Sequence, residues 1–249
     1  MECNVNIGVG GAELSGRVCV VDVESAVADD VVVYLPVGDG PTIRRSLLQK
    51  IAAIATLRFR ITEDGLADIN LSSLVEPTPE RDLVLLAEGA LAWLGERGTL
   101  VSHNGVSHDL PLIRRRAMRT WMFDHTPSVF AWADPSPRRH YDTMLSLGQG
   151  SLLDLCAGLG IPALVPRRGK SSVADGRIRK CEVDVVATGV AFLHAHAAEI
   201  GSATWLAAAW RDLACHLVAR PSRDHLMSLV RRGIELGDDL AQAGNRPSR

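Results

Sequence analysis

The period of apolar and polar positions changes several times along the chain, and the changes divide it into strands and helices. Residues 17–24, Arg-Val-Cys-Val-Val-Asp-Val-Glu, form a short apolar run that turns acidic at its end. That is the pattern of a buried central strand whose carboxyl end reaches a site. Two β-rich stretches, 51–62 and 66–74, flank Glu63-Asp64-Gly65, where the Asp-Gly pair predicts an antiparallel hairpin. The intervening segment 31–49, interrupted by Pro36, Gly38, Gly40 and Pro41, reads as an extra strand or a loop insertion. Thr78-Pro79-Glu80 predicts a helix opened by a Thr cap with Pro in the first turn. Leu83, Leu86, Ala90, Leu91 and Leu94 then recur at helical spacing until Gly95 and Gly98. A strand over 99–103 leads into Asn104-Gly105, and Leu112, Ile113, Arg116 and Ala117 predict a helix over 109–119. Such a strand-loop-helix places polar groups at a strand's carboxyl end, with Asp109 at the helix start.

Residues 138–144 read as another short strand and 151–159 as a helix closed by Gly160, with Pro162 beyond it. The segment 166–176 is polar, basic and rich in breakers, as expected of a mobile surface loop. Helices are predicted over 177–198, 202–219 and 222–236, with Pro221 stopping the second and fraying expected from Gly237. No internal repeat or linker divides the chain. Mixed strands followed by helices imply one α/β domain over 1–200, with a helical extension over 201–249 packed on it.

With 249 residues, 47% of them hydrophobic, the chain has apolar surface for a sizeable core, which excludes disorder throughout. Lys and Arg number 27 against 29 Asp and Glu, so attraction to a polyanion must come from a local patch. Cys3, Cys19, Cys156, Cys181 and Cys215 are odd in number and never spaced as a CxxC pair, which argues against a disulfide framework and a thiolate zinc site. The N-terminus lacks the basic segment and apolar run of a secretory signal, and no apolar stretch reaches the roughly 18 residues of a membrane span. A cytoplasmic protein without a membrane partner is the expectation.

Chemistry enters with the acids. Asp22 and Glu24 are two apart on a strand, so their side chains share a face and both can reach one divalent cation. Two acids on a buried face need a partner charge, and hard carboxylate oxygens suit Mg²⁺ or Mn²⁺. Alone, Asp-x-Glu is equally a surface or salt-bridged pair. Its company is Val101-Ser102-His103-Asn104-Gly105-Val106-Ser107-His108-Asp109-Leu110-Pro111 and, later, Cys181-Glu182-Val183-Asp184-Val185. In this order, Asp-x-Glu, Asn-Gly-x-x-x-Asp before a helix and Cys-Glu-x-Asp-Val within a helix, the set over residues 17–198 resembles the DEDD 3′–5′ exonucleases of the ribonuclease H-like (DnaQ-like) superfamily. Within it the set is most similar to stand-alone relatives of the family B DNA polymerase proofreading domain. The resemblance implies a ribonuclease H-like mixed five-stranded sheet flanked by helices, with additional C-terminal helices. It implies that Asp22, Glu24, Asp109 and Asp184 are catalytic carboxylates holding two Mg²⁺ or Mn²⁺ ions. It also implies that Asp142, in His140-Tyr141-Asp142-Thr143-Met144, is supporting. Four carboxylates on separate elements suit two-metal hydrolysis of a phosphodiester, one ion activating water and the other stabilising the leaving oxygen.

The sequence departs from that family at one position. A Tyr four residues before the last Asp, or a His five before it, attends the attacking water in the family, whereas here Lys180 and Arg179 stand in those places. A free Lys titrates near 10.4 and is a poor base at neutral pH. As a cation, Lys180 is suited to a scissile phosphate, or it points to solvent on a rearranged helix. His108 replaces the aromatic usual before Asp109, with a metal-site approach and a stacking or packing role as its alternatives.

Between residues 110 and 180 twelve cations (Arg114, Arg115, Arg116, Arg119, Arg138, Arg139, Arg167, Arg168, Lys170, Arg177, Arg179, Lys180) face five acids, a local balance of +7 in a chain of −2. This is either a phosphate track or a solvated surface. Asn104, His108, Arg116 and Arg179 are the candidate substrate contacts. At 4% aromatic content, multiple base-stacking platforms are not expected. Trp121, Phe123, Phe130 and Trp132 are expected mainly in the core. The partner implied is the 3′ end of single-stranded DNA or RNA, and the function a metal-dependent 3′–5′ exonuclease. The alternative is a catalytically weak or inactive relative that binds nucleic-acid ends or a protein. Trp205, Leu206, Ala209 and Trp210 suit either core or a homodimer interface on the C-terminal helices.

Overall fold

The apolar run that opens the fold becomes the central strand of a mixed sheet in the computed structural model, which describes residues 16–28, 48–95, 97–133, 139–162, 172–219 and 223–244. The strands are β1 (Arg17–Val27), β2 (Gln49–Thr62), β3 (Gly65–Val75), β4 (Thr99–Ser102) and β5 (His140–Asp142), in the order β3-β2-β1-β4-β5. β1, β2 and β3 pair antiparallel, and β4 and β5 add parallel to β1. This is the expected α/β architecture. The segment 31–49, apart from its last residues, lies outside the described residues, as do Cys3, Arg138, Arg167, Arg168 and Lys170.

Both faces of β1 are covered. Cys19, Val21 and Val23 pack beneath α1 (Glu80–Leu94), α2 (Asp109–Arg119) and α3 (Pro127–Trp132). Val18 and Val20 pack beneath α6 (Val173–Ile200) and α7 (Ala203–Val218). Each buried Val, Leu or Ile contributes about 1.5–3 kcal/mol to holding these layers together. Short helices α4 (Thr143–Leu147) and α5 (Leu152–Leu159) lead to α6, and α8 (Met227–Gly244) packs on α7. By length and composition α6 is the one helix among the described residues able to cross a membrane, and 67% of its most apolar window is buried within the protein.

Several boundaries differ from the sequence reading for local reasons. Thr78 is not the cap: its N–H donates to the Val75 carbonyl in a turn, and Pro79 holds the cap position of α1, which has no side-chain cap. The segment expected as loop through residue 176 is helical from Val173, because Ser172 and Asp175 cap each other's backbone N–H groups. α8 continues to Gly244, past the fraying expected at Gly237. In the hairpin, Gly65 pairs with Thr62 and begins β3 at a φ of 147°. A Cβ there would lie 2.4 Å from Asp212 Oδ2, which accepts the Leu66 N–H at 2.9 Å, so the glycine also seats α7.

Of the apolar residues that suited either core or an interface, Trp205, Ala209 and Trp210 are buried in the chain's own core, with Trp205 Nε1 donating to the Thr62 carbonyl at 2.9 Å, and Leu206 packs partly buried against it. Trp132 is buried as expected, but Trp121 is 81% exposed and Phe123 47%. The chain leaves α2 through a positive φ at Trp121, which turns its ring outward, and the aromatics pack on one another: Trp121 edge-on to Phe123, and Phe123 stacked on Phe130.

Candidate metal centre

Asp22 and Glu24 continue the Val18–Val20 face of β1 toward α6. Their cross-strand partners are Ala55 and Ala53, small residues that leave room above the sheet. Directly after Glu24 the register slips: Glu24 pairs with Ala53 but Ser25 with Ile51, leaving Ala52 bulged, its carbonyl accepting the Glu76 N–H at 3.0 Å. A bulge there turns the end of the strand and re-aims the acids.

The loop after β4 brings in Asp109. Asn104 adopts a φ of 66°, and Gly105 passes so close to Ser102 that a Cβ would lie 2.4 Å from its Oγ. Asn-Gly is therefore required by the backbone: Asn tolerates the left-handed region and Gly permits the close approach. Asp142 at the end of β5 fixes this loop, accepting from the N–H groups of Asn104 (2.9 Å), Val106 (3.1 Å) and Met144 (3.1 Å) and from Ser102 Oγ (3.4 Å). This role agrees with the supporting one that the resemblance implied for Asp142. Asp109 then opens α2, 5% exposed, with Oδ1 bonded to His108 Nδ1 at 2.8 Å.

α6 supplies Asp184. One ligand oxygen from each of Asp22, Glu24 and Asp184 lies within 4.8 Å of the others, a spacing one cation can bridge. Cys181, one turn earlier, donates its thiol to the Asp22 carbonyl at 3.2 Å and ties the helix to the strand. Asp109 is not within that tight group, but its charge is felt at Asp22. The Asp22 carboxyl is held well above the usual carboxylate range, chiefly by burial and then by the negative charges of Asp109 and Asp184. Burial likewise raises Asp109, against the opposing pull of His108. Asp22 Oδ2 and Asp109 Oδ2 are both buried without a hydrogen-bond partner. Orphaned carboxylate oxygens in a cluster of acids are the expected donor set for a hard divalent cation, so the residues present fit Mg²⁺ or Mn²⁺.

Lys180 is exposed, but its ammonium does not stand free for a phosphate. Its ammonium bridges Glu24 and Asp184, with Asp184 Oδ2 at 2.7 Å. Burial lowers the Lys180 pKa, but the Asp184 and Glu24 carboxylates outweigh it and raise it above the ordinary lysine value. That opposes a general-base role. His108 belongs to the centre through Asp109, and the hydrogen bond to that carboxylate raises its pKa.

Arg116, expected at the substrate, is instead structural. It is 6% exposed, and its Nε and Nη2 bind Glu80 at 2.7 and 2.5 Å, a fork-to-carboxylate pair joining α2 to α1. Arg177 is likewise paired, with Glu76 at 2.9 Å. These pairings remove cations from the proposed track, while Arg179 stays exposed on the first turns of α6 and Asn104 sits half-buried in the β4–α2 loop. Sequence reasoning missed Glu80, whose acidic first-turn position gave no hint of Arg116. It also missed the cluster around Glu182, inside the quoted Cys-Glu-x-Asp string. Glu182 accepts from Ser73 Oγ (2.5 Å) and pairs with Arg223 (3.1 Å) and His225 (2.7 Å).

No protein-family model and no curated protein sequence matches the chain. Among solved structures it is similar to the family B DNA polymerase from the hyperthermophilic archaeon Pyrobaculum calidifontis, at 12% identity over 82% of this chain and 29% of that one, with a TM-score of 0.45. It is also similar to E. coli exonuclease I in complex with a dA16 oligonucleotide (12% identity, 72% of this chain, 41% of that one, TM-score 0.36). The same enzyme with a dT13 oligonucleotide gives 14%, 75%, 42% and 0.36. The chain spans less than half the length of each. At these TM-scores the likenesses carry no functional argument, which rests on the site itself.

Proposed function

We propose that this protein is a metal-dependent 3′–5′ exonuclease that hydrolyses phosphodiester bonds at the 3′ end of single-stranded DNA or RNA. The observation that carries the reading is the pair of buried, unpartnered oxygens, Asp22 Oδ2 and Asp109 Oδ2, within a centre that also contains Glu24 and Asp184. The direction of cleavage is supported by the resemblance of the Asp-x-Glu, Asn-Gly-x-x-x-Asp and Cys-Glu-x-Asp-Val strings to the DEDD exonucleases. Asp22, Glu24, Asp109 and Asp184 would hold Mg²⁺ or Mn²⁺, which when bound supplies Lewis acidity toward water and the scissile phosphate.

The chain's own residues do the rest. Burial of Asp109 and Asp22 keeps water from screening the cluster, so an incoming cation is held strongly. Asp142 holds the loop that aims Asp109. His108, bonded to Asp109 and half-buried, restrains that carboxylate on the cleft side. Arg179, exposed in the second turn of α6, supplies a cation for a phosphate of the backbone.

The test is product analysis of 5′-labelled single-stranded DNA and RNA with Mn²⁺ or Mg²⁺, comparing the wild type with Asp109→Asn. A ladder shortening from the 3′ end, lost in the variant, is expected; a ladder undiminished in the variant removes the site assignment. A second reading, an end-binding protein with little or no cleavage, is favoured by Lys180 holding two of the four acids. It predicts oligonucleotide binding without a ladder.

A further inference from the structure

The four acids of the centre divide into two unlike pairs. Glu24 and Asp184 share the ammonium of Lys180. Asp22 and Asp109 each keep a buried oxygen that nothing among the described residues satisfies, and Asp109 is more than nine-tenths buried. We propose that Lys180 fills one of the two cation positions expected from the resemblance, so that the centre takes a single divalent ion, for which the unpartnered buried oxygens of Asp22 and Asp109 are the remaining donors. The inference rests on the metal site of the proposed function and alters its stoichiometry.

Covalent geometry supports it. Lys180 precedes Asp184 by one helical turn, so its stem rises beside that carboxylate and the ammonium is delivered at high effective concentration to Glu24 across the cleft. An ion entering between Glu24 and Asp184 must first expel this group and break both pairs. Cys181, the next residue, anchors the helix backbone to the Asp22 carbonyl at 3.2 Å and limits withdrawal of the turn that carries Lys180. An ion taken up at Asp22 or Asp109 breaks no ion pair of Lys180 and meets a buried oxygen left without a partner among the described residues.

Mn²⁺ titration of the full chain, read by calorimetry and by the electron paramagnetic resonance of free Mn²⁺, counts the ions without any cleavage assay. The wild type is expected to bind one Mn²⁺ and Lys180→Met two, with Lys180→Arg, which keeps the charge, binding one. Lys180→Gln, a second uncharged variant, carries the same expectation if Lys180→Met does not fold. Two ions in the wild type, or one ion in both uncharged variants, overturns the inference. Two ions together with a 3′ ladder would overturn it and leave the nuclease standing. One ion without a ladder would support it and remove the nuclease, and no bound Mn²⁺ would remove both.

Discussion

Glu182 and Asp184 stand two residues apart on one helix and meet opposite fates. Glu182 is 5% exposed and fully answered: Ser73 from β3 donates to it, and Arg223 and His225 from the segment before α8 pair with it. Asp184 faces the other way into a cluster of acids bridged by the Lys180 ammonium, and beside it Asp22 and Asp109 retain buried oxygens unpartnered among the described residues. A buried carboxylate costs several kcal/mol unless its oxygens are satisfied. The first cluster satisfies its acid internally and is architecture, joining the C-terminal helices to the sheet. The second leaves oxygens to be satisfied by something from outside, which is what marks it as the functional site.

Removing the answered acid should have the largest effect. Glu182→Ala removes the buried carboxylate that Arg223 and His225 share and is expected to cost about 3–5 kcal/mol, read as a thermal midpoint lower by about 10 °C. If the midpoint moves by less than about 2 °C, the cluster is not the clamp described here. The hydrogen bonds from His225 and Ser73 and the nearby Arg223 outweigh burial and hold the Glu182 carboxyl below its usual value. Its contribution is therefore present above the ordinary glutamate range and lost as pH falls through the depressed value, an acid limb that Glu182→Ala should abolish. Arg116→Met makes a parallel test: a loss of about 3 kcal/mol with oligonucleotide affinity unchanged is expected of a buried partner of Glu80, whereas lost affinity in a stable protein would return Arg116 to the substrate.

The unanswered acids should behave in reverse. In metal-free buffer Asp22→Asn is expected to leave the thermal midpoint equal or higher, because a repulsive buried charge is gone. The raised Asp22 and Asp109 values mean that the folded chain binds protons more tightly than the unfolded one. The contribution of these two acids to metal-free stability should thus be greatest below the ordinary aspartate range and decline as pH rises through the raised values. Mn²⁺ at a hundredfold over its dissociation constant should add about 2.7 kcal/mol to the wild type and far less to Asp22→Asn. A falling midpoint in Asp22→Asn without metal would show that the acids are satisfied after all. Smallest of all, Arg179→Ala should change stability by under about 0.5 kcal/mol while flattening the salt dependence of oligonucleotide binding by about one unit of slope. An unchanged slope would take Arg179 off the substrate path.

Much of this was legible before any coordinates. Period and punctuation placed β1, the 62–65 hairpin, α2 at its observed limits and the Ser151-to-Gly160 helix, because those signals act over a few neighbouring residues. The acids were found by the strings that carry them. The fates of the cations were not legible. Arg116 lies on an apolar-periodic helix face, and only the packing of α2 on α1 delivers it to Glu80; Arg179 and Lys180 are adjacent in sequence and both exposed, yet Lys180 bridges two acids.

The sequence by itself determined the elements, the alternation that puts Asp22 and Glu24 on one face of β1, and the Asn-Gly backbone that lets Asp109 open a helix, since each depends on local conformational preference. The tertiary structure decided which charges meet. Whether a carboxylate is answered depends on groups up to 156 residues away, as Lys180 at Glu24 shows. That pairing is set by how the helices settle on the sheet to bury apolar area, a non-directional force that fixes positions without regard to the charges carried along.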